Sequence, residues 1–148
     1  MDTLLHRLHQ WKLAEPNAPA HKWKRDGEWV SLSVKELHSR VESLARYLIS
    51  EGMCPGDIGL IYAYNSSAWL QMDLAFMLTR GSSAGIYINA SVRQIHYIIN
   101  HSEAKFLVVD RLEDTDKIFQ GREPNEIFPH LRKIIVIKSK ENLPGWAI

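Results

Sequence analysis

The sequence predicts an α/β fold, a mostly parallel sheet with helices on both faces, preceded by an N-terminal β-hairpin. Short apolar runs alternate with helical patterns from residue 33 onward, and the connections between them are only a few residues long. Strands joined through a helix usually lie parallel in one sheet, with a right-handed crossover. An Asp26-Gly27 turn signal between two strand-like arms predicts the hairpin.

Composition narrows the class of protein. The 148 residues suit one domain, and 45% apolar with 24% charged residues is ordinary for a globular protein. A net charge of +1 argues against a nucleic-acid partner, and a lone cysteine, Cys54, excludes a disulfide or a Cys-based zinc site within the chain. Because no signal peptide or membrane-length apolar segment is visible, we expect a cytoplasmic protein.

The first elements are a helix at Thr3–Ala14, stopped by Glu15-Pro16, and a hairpin over residues 20–32. Both positions of the Asp26-Gly27 turn favour positive φ. Trp23 and Trp29 lie on the hairpin arms, where we expect them to cover a core edge. The alternative is a ligand-stacking platform.

The next helix begins with a capping box, Ser33 with Glu36, and ends at Gly52, where a left-handed residue is wanted. We expect it to cover one face of the sheet through a stripe of apolar residues: Val34, Leu37, Val41, Leu44, Leu48 and Ile49.

The strand Ile58–Ala63 then leads to a helix at Ser66–Arg80 that is apolar nearly all the way round. Such a helix is buried on most sides, so it needs several neighbours or a partner surface.

Gly81–Gly85 invites comparison with a phosphate loop, but that loop joins a strand to the helix that follows it. Here the segment leads from a helix into a predicted strand, Gly85–Ile88, so we expect a tight turn. Asn89-Ala90-Ser91 would then lie at the carboxyl end of that strand, where open α/β sheets bind ligands.

A second capping box, Ser91 with Gln94, opens the helix that runs to His101, with Val92, Ile95, Ile98 and Ile99 facing the core. Two histidine pairs, His6 with His9 and His96 with His101, lack the third ligand or the shared face that a metal site needs. We therefore predict no metal site from them.

Lys105–Val109 is a third predicted strand, followed by Asp110. An acidic residue at a strand end can contact a ribose, but no Gly-rich loop precedes it. We therefore expect Asp110 to cap a helix at Leu112–Phe119. A polar loop at Arg122–His130 and a fourth parallel strand at Lys133–Lys138 follow.

The predicted organisation is one domain, 1–148, with a hairpin at 20–32, an α/β core at 33–138 and a tail at 139–148. Over roughly residues 20–138 the sequence resembles the amino-terminal part of adenylate-forming (AMP-binding) acyl-CoA synthetases, in particular long-chain fatty-acid–CoA ligases. The segments that carry this resemblance are Lys24–Trp29, Pro55-Gly56-Asp57, Asn65–Trp69, Gly85-Ile86-Tyr87 and Tyr97–Ala104. Asn89 departs from the family, which usually has Pro or Thr there.

The resemblance implies ATP- and Mg²⁺-dependent conversion of a fatty acid to an acyl-adenylate, from which coenzyme A displaces AMP. The family's catalytic groups have no matching position in these 148 residues, so we assign no catalytic, cofactor-binding or metal-binding residue. We expect an incomplete N-terminal subdomain that is inactive alone and binds none of these cofactors.

The implied partners are the remainder of the synthetase chain and, in the whole enzyme, a fatty acid. An uncovered sheet edge or apolar face also predicts a homo-oligomer. The alternatives are a non-catalytic α/β binding or assembly module and, less favoured because the Gly-rich βα loop is missing, a nucleotide-binding domain of flavodoxin-like order. Acyl chain length and strand order stay open at this point.

Overall fold

A computed structural model describes residues 3–138 and confirms the predicted fold class. The helices are α1 (Leu4–Ala14), α2 (Val34–Ser50), α3 (Ser67–Leu78), α4 (Val92–Ser102), α5 (Glu113–Phe119) and α6 (Pro124–Ile127). The strands are β1 (Pro19–Arg25), β2 (Glu28–Ser33), β3 (Ile58–Tyr62), β4 (Ser82–Gly85), β5 (Phe106–Val109) and β6 (Lys133–Val136). The predicted tail at 139–148 lies outside the described residues.

Strands β1 and β2 form the predicted antiparallel hairpin, and both turn residues have positive φ, 51° at Asp26 and 85° at Gly27. The expectation that both tryptophans cover a core edge is wrong for Trp29, whose surface is 67% exposed. The Lys24 ammonium lies 5.5 Å from the centre of the Trp29 ring, a cation–π contact that an exposed ring can make in water. Trp23 is half-buried and stacks on His21.

The other four strands form one parallel sheet in the order β4-β3-β5-β6. Side chains of β3 and β5 point alternately to the two faces, and each face builds its own core. Ile61 and Val108 face a cluster that includes α2 and α3 residues. Leu60 and Leu107 face a cluster that includes α4 and α5 residues. Helices therefore cover both faces.

The predicted strand at Gly85–Ile88 and the predicted tight turn at Gly81–Gly85 are wrong in position, since β4 occupies Ser82–Gly85. The Ser82 N–H donates to the Asp57 carbonyl at 2.9 Å, and the Ile86 N–H donates to the Ile61 carbonyl at 2.9 Å. Strand β4 is at the sheet edge, where backbone pairing to one neighbour suffices and small polar side chains are tolerated. The apolar residues after it leave the sheet, and Ile86 is buried in the core instead.

Helix α3 is buried on most sides, as predicted, and Ser66 is its N-cap. Phe76 is fully buried over β3, and a Cβ added at Gly59 would lie only 2.3 Å from its ring. A glycine at this position is therefore required for the helix to approach the sheet.

Both capping boxes are present, and Gly52 has φ 90° after the end of α2. Ile49 does not belong to the buried stripe of α2, since it is 56% exposed. The loop predicted at Arg122–His130 contains one helical turn, α6, because Pro124 supplies a preset φ at the first helical position.

Candidate functional site

The candidate site is the carboxyl edge of the parallel sheet between β3 and β5. The chain leaves β3 to form β4 on one side and then crosses to form β5 on the other side of β3. Helix α3 contributes to the core on one face and α4 to the core on the opposite face. Open α/β sheets bind ligands in the crevice at such a reversal of strand order.

Asp110 lies at this edge, directly after β5, and is 3% exposed. Its Oδ2 atom accepts a hydrogen bond from the Tyr64 backbone N–H at 3.4 Å and lies 3.4 Å from the Lys138 Nζ atom. Its Oδ1 atom is buried and has no hydrogen-bond partner among the described residues. The carboxylate thus joins the ends of β3, β5 and β6.

The prediction that Asp110 caps the following helix is wrong. Helix α5 begins at Glu113, and its N-cap residue, Leu112, makes no side-chain cap bond. The Asp114 carboxylate accepts the Arg111 N–H at 2.9 Å, so the helix start is satisfied from within its own first turn. The Asp110 side chain is directed across the sheet edge because Lys138 and the end of β3 are there to pair with it.

A second polar group fixes the loop between β4 and α4. The Lys117 ammonium donates to the Tyr62 hydroxyl at 2.7 Å and to the Ala90 carbonyl at 3.0 Å. The Tyr62 hydroxyl in turn donates to the Ile88 carbonyl at 3.0 Å. Tyr62 is 2% exposed, so these bonds satisfy a phenol that would otherwise be buried unpaired. Sequence patterns missed this network, because its members come from three separate segments.

The exposed side chains of the edge include two tyrosines. Tyr64 follows β3 and is 62% exposed, and Tyr87 follows β4 and is 83% exposed. Asn89, predicted at a strand end, is exposed four residues beyond β4, and Ser91 is engaged as the cap of α4. The edge thus offers aromatic and amide contact surface. Lys138 lies against the Oδ2 atom of Asp110, and Lys117 is bonded to Tyr62 and to backbone.

The histidines of the two pairs noted in the sequence make other contacts in the structure. His96 Nε2 lies 2.6 Å from the Ile118 carbonyl oxygen, His101 stacks on Tyr97, and the His9 ring stands 5.7 Å from that of His38. No group of three or more potential ligands within residues 3–138 could hold a metal ion.

Among residues 3–138, the three side chains with displaced pKa values all lie on α2. A hydrogen bond from the Ser33 backbone lowers the pKa of Glu36, and burial lowers that of His38. Burial, followed by the Glu51 charge, raises the pKa of Tyr47. None of the three is part of the carboxyl edge.

A family model described as AMP-binding enzyme matches residues 8–147. The chain belongs to the AMP-binding enzyme family. Within residues 3–138, no helix is long and apolar enough to cross a lipid bilayer.

Curated relatives of this chain include enzymes for different acids. Long-chain-fatty-acid–CoA ligase ACSBG2 of Xenopus laevis is 28% identical over 124 residues, which are 82% of this chain and 16% of the ligase. A salicylyl-CoA synthase / salicylate adenylyltransferase from a Streptomyces species is 29% identical over 132 residues, 87% of this chain and 23% of the relative. The chain spans less than a quarter of the length of either.

Solved structures with the same fold include acetoacetyl-CoA synthetase from Streptomyces lividans, with a TM-score of 0.79 and 19% identity. That match covers 95% of this chain and 23% of the synthetase. A fatty acyl-adenylate ligase from L. pneumophila, in complex with acyl adenylate and pyrophosphate, gives a TM-score of 0.74 at 19% identity, covering 95% and 24%. At this identity the likeness establishes the fold.

Proposed function

We propose that this chain is the amino-terminal scaffold of an ATP-dependent long-chain fatty-acid–CoA ligase. The family match over residues 8–147 carries the proposal, together with curated long-chain ligases that align with most of the chain. In the reaction, the fatty-acid carboxylate attacks the α-phosphate of ATP, releasing pyrophosphate and forming an acyl-adenylate. The coenzyme A thiol then attacks the acyl carbon and displaces AMP. Mg²⁺ offsets the phosphate charge.

The role proposed for residues 1–148 is structural: one incomplete N-terminal subdomain without catalytic, cofactor-binding or metal-binding residues. The polar groups of the carboxyl edge support this role, because the Oδ2 atom of Asp110 and the polar atoms of Lys138, Tyr62 and Lys117 are bonded to one another or to backbone. A group that is to stabilise developing charge must be aimed at the reacting atoms. ATP, Mg²⁺ and coenzyme A would therefore bind residues outside this stretch. The location proposed for the whole enzyme is the cytoplasm.

A chimera tests the scaffold role. The matching segment of the Xenopus laevis ligase is replaced by residues 3–138, and acyl-CoA formation from a long-chain fatty acid is measured. We expect the chimera to retain activity and the isolated 148-residue chain to have none. Acyl-CoA formation by the isolated chain would contradict the scaffold role, and a folded but inactive chimera would contradict the placement in this ligase branch.

The alternative function is a non-catalytic assembly module that associates through the sheet edge. Strand β4 supports it, since this edge strand is paired on one side and carries small, exposed residues such as Ser82 and Ala84. Both proposals allow the isolated chain to self-associate, so the activity of the chimera separates them. A monomer in sedimentation velocity would remove the support for assembly through β4.

A further inference from the structure

The contact between α1 and α2 contains a cluster of titratable groups that the proposed function does not use. The His38 side chain of α2 is only 12% exposed and faces the last turns of α1. Its Nδ1 atom lies 3.3 Å from the Lys12 Nζ atom and 3.4 Å from the Glu42 Oε2 atom. The His9 ring stands 5.7 Å away, centre to centre, tilted by 48°.

The two neighbours of Nδ1 require this atom to be in opposite protonation states. An ammonium can only donate, so the Lys12 contact requires an unprotonated Nδ1 that accepts, which is the neutral ring with its proton on Nε2. A carboxylate can only accept, so the Glu42 contact requires Nδ1–H. The protonated ring carries a hydrogen on both nitrogens, so it can no longer accept from Lys12 and can only donate, to Glu42, one turn along its own helix.

We propose that His38 is a proton-operated latch between α1 and α2, which holds Lys12 when neutral and exchanges it for Glu42 when protonated. Protonation places two cations 3.3 Å apart and leaves a salt bridge within α2 in place of a contact between helices. The last turn of α1 then loses its polar contact with α2. Leu8, which is buried, keeps the first turns of α1 attached.

The surroundings set the direction of the switch. Burial is the main reason that the pKa of His38 is lowered, the Lys12 charge lowers it further, Glu42 opposes this, and His9 adds to the lowering. These are the charged and titratable groups acting on His38 from α1 and α2 within the described residues. The neutral, latched form therefore dominates at neutral pH, and release needs mild acid.

Linkage gives the sign of the effect on stability. In the pH range between the lowered folded pKa and the unfolded value of about 6.5, the unfolded chain binds more protons than the folded chain. The free energy of unfolding therefore falls as the pH falls through this range. Above the unfolded value, the contribution of neutral His38 to stability is fully present.

Amide hydrogen exchange of the 148-residue chain tests the latch. The Glu15 amide, which donates to the Trp11 carbonyl at 2.8 Å, reports on the end of α1. Between about pH 7.5 and about pH 5 we expect its protection factor to fall roughly threefold to tenfold, the usual consequence of losing one hydrogen bond. The fall should disappear in His38→Gln and persist in His101→Gln, a matched change on α4.

Ring titration by NMR provides a second readout that does not depend on His38→Gln folding. The pKa of His38 should rise in Lys12→Met and fall in Glu42→Gln. The latch would be overturned if the pKa of His38 were unchanged in Lys12→Met. It would also be overturned if the Glu15 amide lost as much protection at low pH in His38→Gln as in the unaltered chain.

Discussion

At the scale of single residues, the carboxyl edge depends on the bonds among Tyr62, Lys117 and the loop before α4. Tyr62→Phe removes the donor to the Ile88 carbonyl and the acceptor for Lys117. We expect it to cost about 1–2 kcal/mol of unfolding free energy in urea titrations, the usual range for buried hydrogen bonds.

The control for this change is Tyr87→Phe, because Tyr87 is 83% exposed and should tolerate it within about 0.5 kcal/mol. A double-mutant cycle with Lys117→Met should give a coupling of about 0.5–1 kcal/mol. Strictly additive effects would mean that Tyr62 and Lys117 stabilise the chain independently and form no coupled network.

The approach of α3 to β3 depends on the absence of a side chain at Gly59. An added Cβ would lie 2.3 Å from the buried Phe76 ring, so Gly59→Ala must displace the ring or the helix. Overpacking of this kind costs about 1–3 kcal/mol or more, which a shift in the urea midpoint would report. Gly85→Ala is the comparison, since its Cβ would meet Trp69 at 3.3 Å on an exposed edge strand, and it should cost clearly less.

At the scale of elements, the two capping boxes differ in one chemically useful way. Glu36 accepts from the Ser33 N–H at 2.8 Å, whereas Gln94 accepts from the Ser91 N–H at 2.9 Å and cannot ionise. Ser33→Ala and Ser91→Ala should each cost about 1 kcal/mol at neutral pH.

Only the α2 box should depend on pH. The Ser33 backbone N–H and then the Ser33 hydroxyl, which Ser33→Ala removes, lower the pKa of Glu36 from its ordinary 4.5. The stabilisation is therefore present above that value and is lost as the pH falls through the lowered one. Thermal unfolding of both variants between about pH 6 and about pH 3 checks this. A loss in Ser91→Ala that changes with pH as much as the loss in Ser33→Ala would contradict it.

The elements that sequence predicted well are those encoded by local chemistry. Asp26-Gly27, Ser33 with Glu36 and Ser91 with Gln94 fix a turn or a helix start through residues at most three apart. The predicted position of β4 was wrong because this position depends on pairing with β3. Ile86, an apolar residue that follows the strand, is buried outside the sheet.

The site was less predictable for the same reason. Asp110 was recognised as a strand-end acid, but its partners, Tyr64 and Lys138, are 46 and 28 residues away in sequence. Strand order decides which residues meet at the carboxyl edge, and no local pattern encodes it. Lys117, on the exposed side of a short helix, carried no signal that would distinguish it from a solvated lysine.

At the scale of the whole molecule, this chain of the AMP-binding enzyme family forms a parallel α/β sheet covered by helices. The sheet has a reversal of strand order that commonly creates a ligand crevice, yet Lys138 and Lys117 there are bonded within the chain. We propose that this stretch positions other parts of an acyl-CoA synthetase and has no nucleotide site of its own.

Calorimetric titration of ATP–Mg²⁺ into the purified 148-residue chain, with its mass in solution measured alongside, tests that claim most directly. We predict no saturable heat of binding, with or without a fatty acid present. Saturable binding of ATP to a folded monomer would contradict the claim and would make the carboxyl edge between β3 and β5 a nucleotide site in its own right.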